Sequence, residues 1–156
     1  MTRLVACALS ILLRTVSGYN ASVKAWFGTH GQEMGIYKLP SGLMYKVLES
    51  GAVDNVSPSK ETPCDVTYAG QLTNGKQFDA GRATFTPEQV IAGWTEALQL
   101  MKVGDKWELY VPSELAYGEE GKGEAIPANA DLIFQVKIES LRKPLKTIMA
   151  RAPWAF

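Results

Sequence analysis

The sequence predicts an α+β domain, with one helix packed on one face of an antiparallel sheet, and three observations carry that expectation. Four segments alternate apolar and polar residues with period two, an Asn-Gly pair separates two of them, and one stretch, Gln89 to Asp105, carries apolar residues at helical spacing. At 156 residues the chain has the size of one ordinary domain with short extensions, enough to bury a core. Sixteen Lys and Arg balance sixteen Asp and Glu, so there is no global positive field. No nucleic-acid partner is expected.

The chain opens on MTRLVACALSILLRTVSG, with a basic residue at Arg3, an apolar run from Leu4 to Leu13, and small residues at Ser17 and Gly18. This is the outline of a secretory signal peptide over residues 1–18, and it points to an exported or secreted protein; a membrane-leaning N-terminal helix is the other reading, and without a signal the protein is cytoplasmic. The run is too short for a stable membrane span. Cleavage would remove Cys7 and leave Cys64 alone, so no internal disulfide is expected and the fold must rest on its core.

Residues 19–40 read as an extension, a short helix around Ala21 to Phe27 followed by a linker. His30, the only histidine, lies in that linker without partners at the spacing a metal or general base needs. Asn20 and Asn55 head glycosylation sequons, the second weakened by Pro58.

Ordered structure is expected from Ser41. In SGLMYKVLESG, Leu43, Tyr45 and Val47 alternate with Met44, Lys46 and Leu48, a strand with one face buried. DVTYAGQL sets Val66, Tyr68, Gly70 and Leu72 on one face, and Asn74-Gly75 then turns the chain into an antiparallel partner. DKWELYVP alternates Trp107, Leu109 and Val111 against Glu108 and Tyr110, and DLIFQVKIESL does the same with Leu132, Phe134, Val136 and Ile138.

Between them lies the helix, whose start is placed at Thr86-Pro87-Glu88-Gln89: a hydroxyl cap, proline at the first position, and Gln three residues after the cap. Ile91, Trp94, Leu98 and Met101 share one face, and Gly93 permits close approach of another backbone or a ligand. Burying an indole removes roughly 200 Å² from water, worth about 5 kcal/mol. Trp94 therefore has two readings, core residue or wall of a site. The same holds for Tyr68 and Phe134, which also fit the apolar faces of their strands, and Asp79 could cap a turn.

VxYxGxLxxGxxFD from Val66 to Asp79, VIxGW from Val90 to Trp94, and AYG from Ala116 to Gly118 stand in one order along the chain. Together they resemble the FK506-binding protein family of peptidyl-prolyl isomerases over residues 41–141, and more particularly its macrophage infectivity potentiator branch, whose members are exported. The resemblance implies a half-open antiparallel sheet of about five strands curled around one short α-helix, with Trp94 as the floor of an apolar pocket. It implies catalytic roles for Asp79, Tyr117, Tyr68 and Phe134, and substrate contacts from Trp94, Phe78, Val90, Ile91, Ile126 and Phe85. Ala83 stands where many relatives carry an aromatic, leaving Phe85 to serve that rim. Arg82 is expected to pair with Asp79, as an arginine does in relatives. The loop EEGKGEA departs from many relatives.

Implied partners are proline-containing peptides and proteins and macrolide inhibitors of the FK506 or rapamycin type; no cofactor or metal is implied. Bacterial members of this branch dimerise through a long preceding helical segment. About twenty residues would precede the domain here after signal removal, too few for a stable bundle, so a monomer is expected.

Isomerisation also has a case from chemistry alone. Rotating an X-Pro bond crosses roughly 18–20 kcal/mol because amide resonance must be broken, and no nucleophile is needed. The twisted amide is less polar than the planar one, so a dry aromatic pocket favours it. Rival chemistries are short of parts: a hydrolase triad has no histidine inside the domain, and the Gly-Lys of GEEGKGE precedes glycine rather than the Ser or Thr of a phosphate loop. The remaining alternative is a binding module or holdase that captures proline segments without accelerating rotation. The tail of residues 142–156, basic and ending in Trp154 and Phe156, either docks on a partner or folds back on the domain.

Overall fold

The computed structural model describes residues 35–52 and 56–142. The signal-like start, the helix expected at Ala21 to Phe27, His30, Asn20, Asn55 and the tail beyond Arg142 lie outside the described residues.

In chain order the strands are β1 (Ile36–Lys38), β2 (Met44–Glu49), β3 (Cys64–Leu72), β4 (Gln77–Phe85), β5 (Lys106–Val111) and β6 (Leu132–Leu141), with helix α1 (Ala92–Leu100) between β4 and β5. They form one open sheet in the order β1-β2-β5-β6-β3-β4. Every neighbouring pair is antiparallel. This is the α+β architecture the sequence predicts, with one strand more than about five. The addition is β1, in the stretch read as linker, which pairs Tyr37 with Tyr45. Three residues are too few to display a period of two, and pairing with β2 supplies the order that the local sequence does not announce.

The alternating residues meet on the inner face. Leu43, Val66, Leu109, Val136 and Ile138 are fully buried there, and α1 lays Ala97 and Leu98 against them. Gly93 faces β5: a Cβ at this position would stand 2.6 Å from Val111 Cγ1, so the close approach it permits is that of a strand side chain. Helix α1 ends at Met101, whose N–H bonds Ala97 O, and buried Asp105 accepts the next amide, from Lys102, at 2.9 Å.

Two expectations need correcting. The cap signals at Thr86 do not start α1. They start a separate 3-10 turn, Pro87–Gln89, after which Val90 is extended (φ −116°, ψ 175°) and Ile91 becomes the residue from which α1 begins. Thr95 Oγ1 ties the two pieces by donating to Pro87 O at 2.5 Å. Second, β2 is not buried on one face only. Met44, Tyr110 and Ile133 are opposite one another across β2, β5 and β6, and all three are buried on the outer face with Ile36 packed against them.

The Asn74-Gly75 turn forms as expected, Gly75 N–H bonding Leu72 O and Leu72 N–H bonding Lys76 O, both at 2.9 Å. It sets β4 beside β3 in the register that places the site.

Candidate active site

On the inner face, between α1 and the β3, β4 and β6 strands, lies an open cavity of about 400 Å³. Trp94 from α1 forms its floor and is only 4% exposed. Three rings stand nearly perpendicular to the indole: Phe134 of β6 at 5.2 Å and 82°, Tyr68 of β3 at 5.5 Å and 78°, and Phe85 of β4 at 6.2 Å and 80°. Edge-to-face contacts suit the ring quadrupoles, and walls standing on a floor enclose space that stacked rings would fill. The two readings of Trp94 therefore coincide, because the residue belongs to the buried core and lines the cavity. Its Nε1–H is buried without an acceptor among the described residues.

Phe78 and Asp79 are adjacent in β4, yet both line the cavity. A regular strand sends neighbours to opposite faces. Here Gly70 pairs with Asp79 while Gln71 pairs with Gln77, so Phe78 is an extra residue in a β-bulge. Its ring then meets Phe134 edge to face at 5.6 Å. Gly70 lies beneath that pair: a Cβ there would come within 2.6 Å of Phe134 and 2.8 Å of Phe78. The glycine in the strand is a seat for two rings.

The Asp79 carboxylate, on the exposed rim, accepts a hydrogen bond from the Tyr68 hydroxyl at 3.1 Å. Burial first, and then this carboxylate acceptor, push the Tyr68 phenol above its usual range, so it remains a donor. Asp79 does not cap a turn. Nor does it pair with Arg82, whose guanidinium lies 3.6 Å from Glu139 on β6. With Asp79 facing inward, alternation along β4 turns a residue three positions on to the outer face.

Of the remaining residues expected at the site, Phe85, Val90, Ile91, Tyr117 and Phe134 all line the cavity. The extended step at Val90 and Ile91 puts both at its edge. Ile126 is the exception. Its side chain is buried in the core rather than set in the cavity wall. Its backbone is also committed: Ile126 N–H donates to Lys122 O at 3.2 Å and its carbonyl accepts from Lys122 N–H at 2.8 Å. Ile126, expected among the substrate contacts, is therefore not part of the cavity lining.

Two lining residues were not foreseen, Gln89 and Lys122. Gln89 is the third residue of the capping box in the sequence, and it closes that box on the 3-10 turn by accepting the Thr86 N–H at 3.4 Å. Lys122 stands over Tyr117, its Nζ 5.0 Å from the ring centroid and 3.3 Å from the hydroxyl. Its only signal was the unusual loop that contains it.

Tyr117 is held from behind. The Ser113 carbonyl accepts the N–H groups of Ala116 at 3.0 Å and Gly118 at 2.8 Å, and Asn129 N–H binds Gly118 O. Ser113 is itself fixed by its N–H, which donates to buried Asp131 Oδ1 at 2.8 Å. Burial pushes the Asp131 carboxyl up to about 6, the Ser113 amide opposing the shift and Glu114 adding to it. The other Asp131 oxygen is buried without a partner among the described residues. Cys64 is no candidate nucleophile: it lies in the core, donates to Thr62 O, and burial pushes its thiol up to about 11. Among the described residues no cluster of His, Cys, Asp and Glu could hold a metal ion.

A half-open sheet closing an aromatic box on a single helix defines the FK506-binding class of domain. Comparison with known proteins makes the assignment specific. The family described as FKBP-type peptidyl-prolyl cis-trans isomerase matches residues 54–139, and the chain belongs to it. It is 35% identical to the macrophage infectivity potentiator of Trypanosoma cruzi over 90% of this chain and 84% of that protein. It is 44% identical to the outer membrane protein MIP of Legionella longbeachae over 76% of this chain, but spans only 52% of that relative's length. The crystal structure of a peptidyl-prolyl cis-trans isomerase from Pseudomonas syringae superposes with a TM-score of 0.74 at 31% identity, covering 78% of this chain and 92% of that one.

Proposed function

We propose that the protein is a peptidyl-prolyl cis-trans isomerase that binds X-Pro segments in this cavity and speeds rotation about the imide bond without a covalent intermediate. The observation that carries the reading is the open aromatic box itself: the indole of Trp94 is its floor, and among the described residues no side chain plugs it.

In water the planar amide is stabilised by its charge-separated resonance form. Inside a box of Trp94, Phe78, Phe85 and Phe134 that solvation is lost, and the less polar twisted amide gains relative to the planar one. Trp94 and Phe134 hold the pyrrolidine ring. Asp79, oriented by Tyr68, faces the rotating carbonyl, and the Tyr117 hydroxyl binds the chain. Ile91, at the cavity edge, supplies a backbone contact to the bound chain. A millionfold gain would require about 8 kcal/mol of such differential stabilisation, and about 1.4 kcal/mol less for each tenfold smaller acceleration.

In this reading the protein works as a monomer, every residue given a role above belonging to the one domain. Macrolides of the FK506 or rapamycin type should compete for the box. An exported location accords with the signal-like start and with the similarity to the outer membrane protein MIP of Legionella longbeachae.

The test is the cis-to-trans relaxation of a proline tetrapeptide. Wild-type protein should accelerate it and a rapamycin-type inhibitor should abolish the gain. Asp79→Leu and Trp94→Leu should each lower turnover at least tenfold with circular dichroism near wild type. Full activity in both variants refutes the assignment, and binding of the peptide without acceleration identifies a holdase.

A further inference from the structure

We propose that Lys122 makes the cavity selective for prolyl segments that carry a carboxylate side chain next to the proline, an inference that rests on the isomerase reading above. Lys122 is the cation among the residues lining the cavity. Although its side chain is solvent-exposed, its backbone is fixed by the paired bonds with Ile126, at 2.8 and 3.2 Å, and Ile126 is anchored in the core. The backbone of Lys122 is thereby fixed at the mouth of the box, from which its ammonium reaches the Tyr117 hydroxyl.

Its contact with Tyr117 connects it to the substrate. Lys122 Nζ donates to the Tyr117 oxygen at 3.3 Å, which leaves the hydroxyl's own proton to point at a bound carbonyl. A chain held by Tyr117 therefore runs within reach of the ammonium. The other charged group lining the cavity is Asp79, fixed by Tyr68. A substrate carboxylate is attracted at the Lys122 side and repelled at the Asp79 side, so charge sets a direction across the box.

Three acidic residues of the same loop, Glu119, Glu120 and Glu124, oppose the effect at longer range. They are exposed and do not line the cavity, so salt screens them more effectively than it screens a contact at Lys122. The net preference is that of one exposed ion pair, about two- to fivefold.

The measurement is kcat/KM for a peptide set with Glu, Gln or Lys immediately before the proline, and a second set with the same residues immediately after it. Wild type should favour Glu over Gln in at least one set by about two- to fivefold and disfavour Lys, and the gap should close as NaCl rises. Lys122→Gln keeps a donor for Tyr117 but removes the charge, so it should erase the Glu-to-Gln ratio; Lys122→Glu should invert it. Because the ratio is taken within each variant, a partly unfolded preparation lowers both numbers together and leaves it intact. Equal use of Glu and Gln peptides by wild type in both sets, or an unchanged ratio in Lys122→Gln, overturns the proposal. Failure to accelerate any peptide counts against the isomerase reading instead.

Discussion

At the floor of the cavity Trp94 and Phe134 are 4% and 5% exposed and meet edge to face at 5.2 Å. At the rim, Asp79 is exposed and Tyr68 reaches it through one 3.1 Å bond, while Lys122 touches Tyr117 from a solvent-facing loop. The floor is thus positioned by close packing, where a displaced ring has nowhere to go. The rim is positioned by single polar contacts in water, each of modest net worth. Floor changes should therefore cost stability and function together while the domain still folds, whereas rim changes should alter rate, selectivity or pH response at nearly unchanged stability.

The largest effect is expected at Gly70, which touches no substrate. Gly70→Ala puts a methyl within 2.6 Å of Phe134 and 2.8 Å of Phe78, so one or both rings must leave their place. Overpacking of this kind costs about 1–3 kcal/mol of stability. Turnover should fall more than tenfold as the box loses its shape. Thermal unfolding with a peptide assay on the same sample checks both, and a variant as stable and active as wild type would break the contrast between floor and rim.

The effect next in size lies behind the rim, at Asp131. This carboxyl is buried, holds Ser113 N–H, and is pushed up to about 6 from its ordinary value. An acid whose pKa is raised by folding adds stability at low pH, and that contribution is lost as pH climbs through its folded value, here about 6. Glu114, the acidic neighbour that also raises it, works in the same direction. Asp131→Asn keeps an acceptor for Ser113 and cannot ionise. Relative to wild type it should gain stability as pH rises from 3.8 to about 6 and keep that gain at higher pH, on the order of 1–3 kcal/mol. A difference independent of pH would show that the carboxyl is not the group that titrates.

The same contrast explains what the sequence disclosed. Period-two alternation located β2, β3, β5 and β6 and their inner faces, because burial against α1 enforces it. The packed floor was readable for the same reason: Trp94, Tyr68 and Phe134 all lie on apolar stripes. What alternation concealed are the places that break it. Phe78 and Asp79 face the same way only through a bulge, and Val90 and Ile91 interrupt a helix whose cap signals belong to the turn before it. Position 82 follows alternation so faithfully that Arg82 is carried away from Asp79 to Glu139. Lys122 and the paired backbone of Ile126 escaped because a loop has no period, and the hydrogen bonds that fix this one join backbone atoms that all residue types share.

The smallest effect, and the sharpest probe of the contrast, is Tyr68→Phe. The ring stays, so its edge-on contact with Trp94 at 5.5 Å and the shape of the floor should survive; only the hydroxyl that orients Asp79 is lost. An exposed hydrogen bond of this kind is worth about 0.5–1.5 kcal/mol, which converts to roughly two- to tenfold in kcat/KM if all of it is expressed in the transition state. Melting temperature should barely move, because the bond lies at the exposed rim and the buried area of the ring is unchanged. If Tyr68→Phe instead lowers turnover as far as Gly70→Ala does, the carboxylate's orientation matters as much as the aromatic enclosure. Desolvation would then be the lesser part of the catalysis, and the polar contact with the carbonyl the greater.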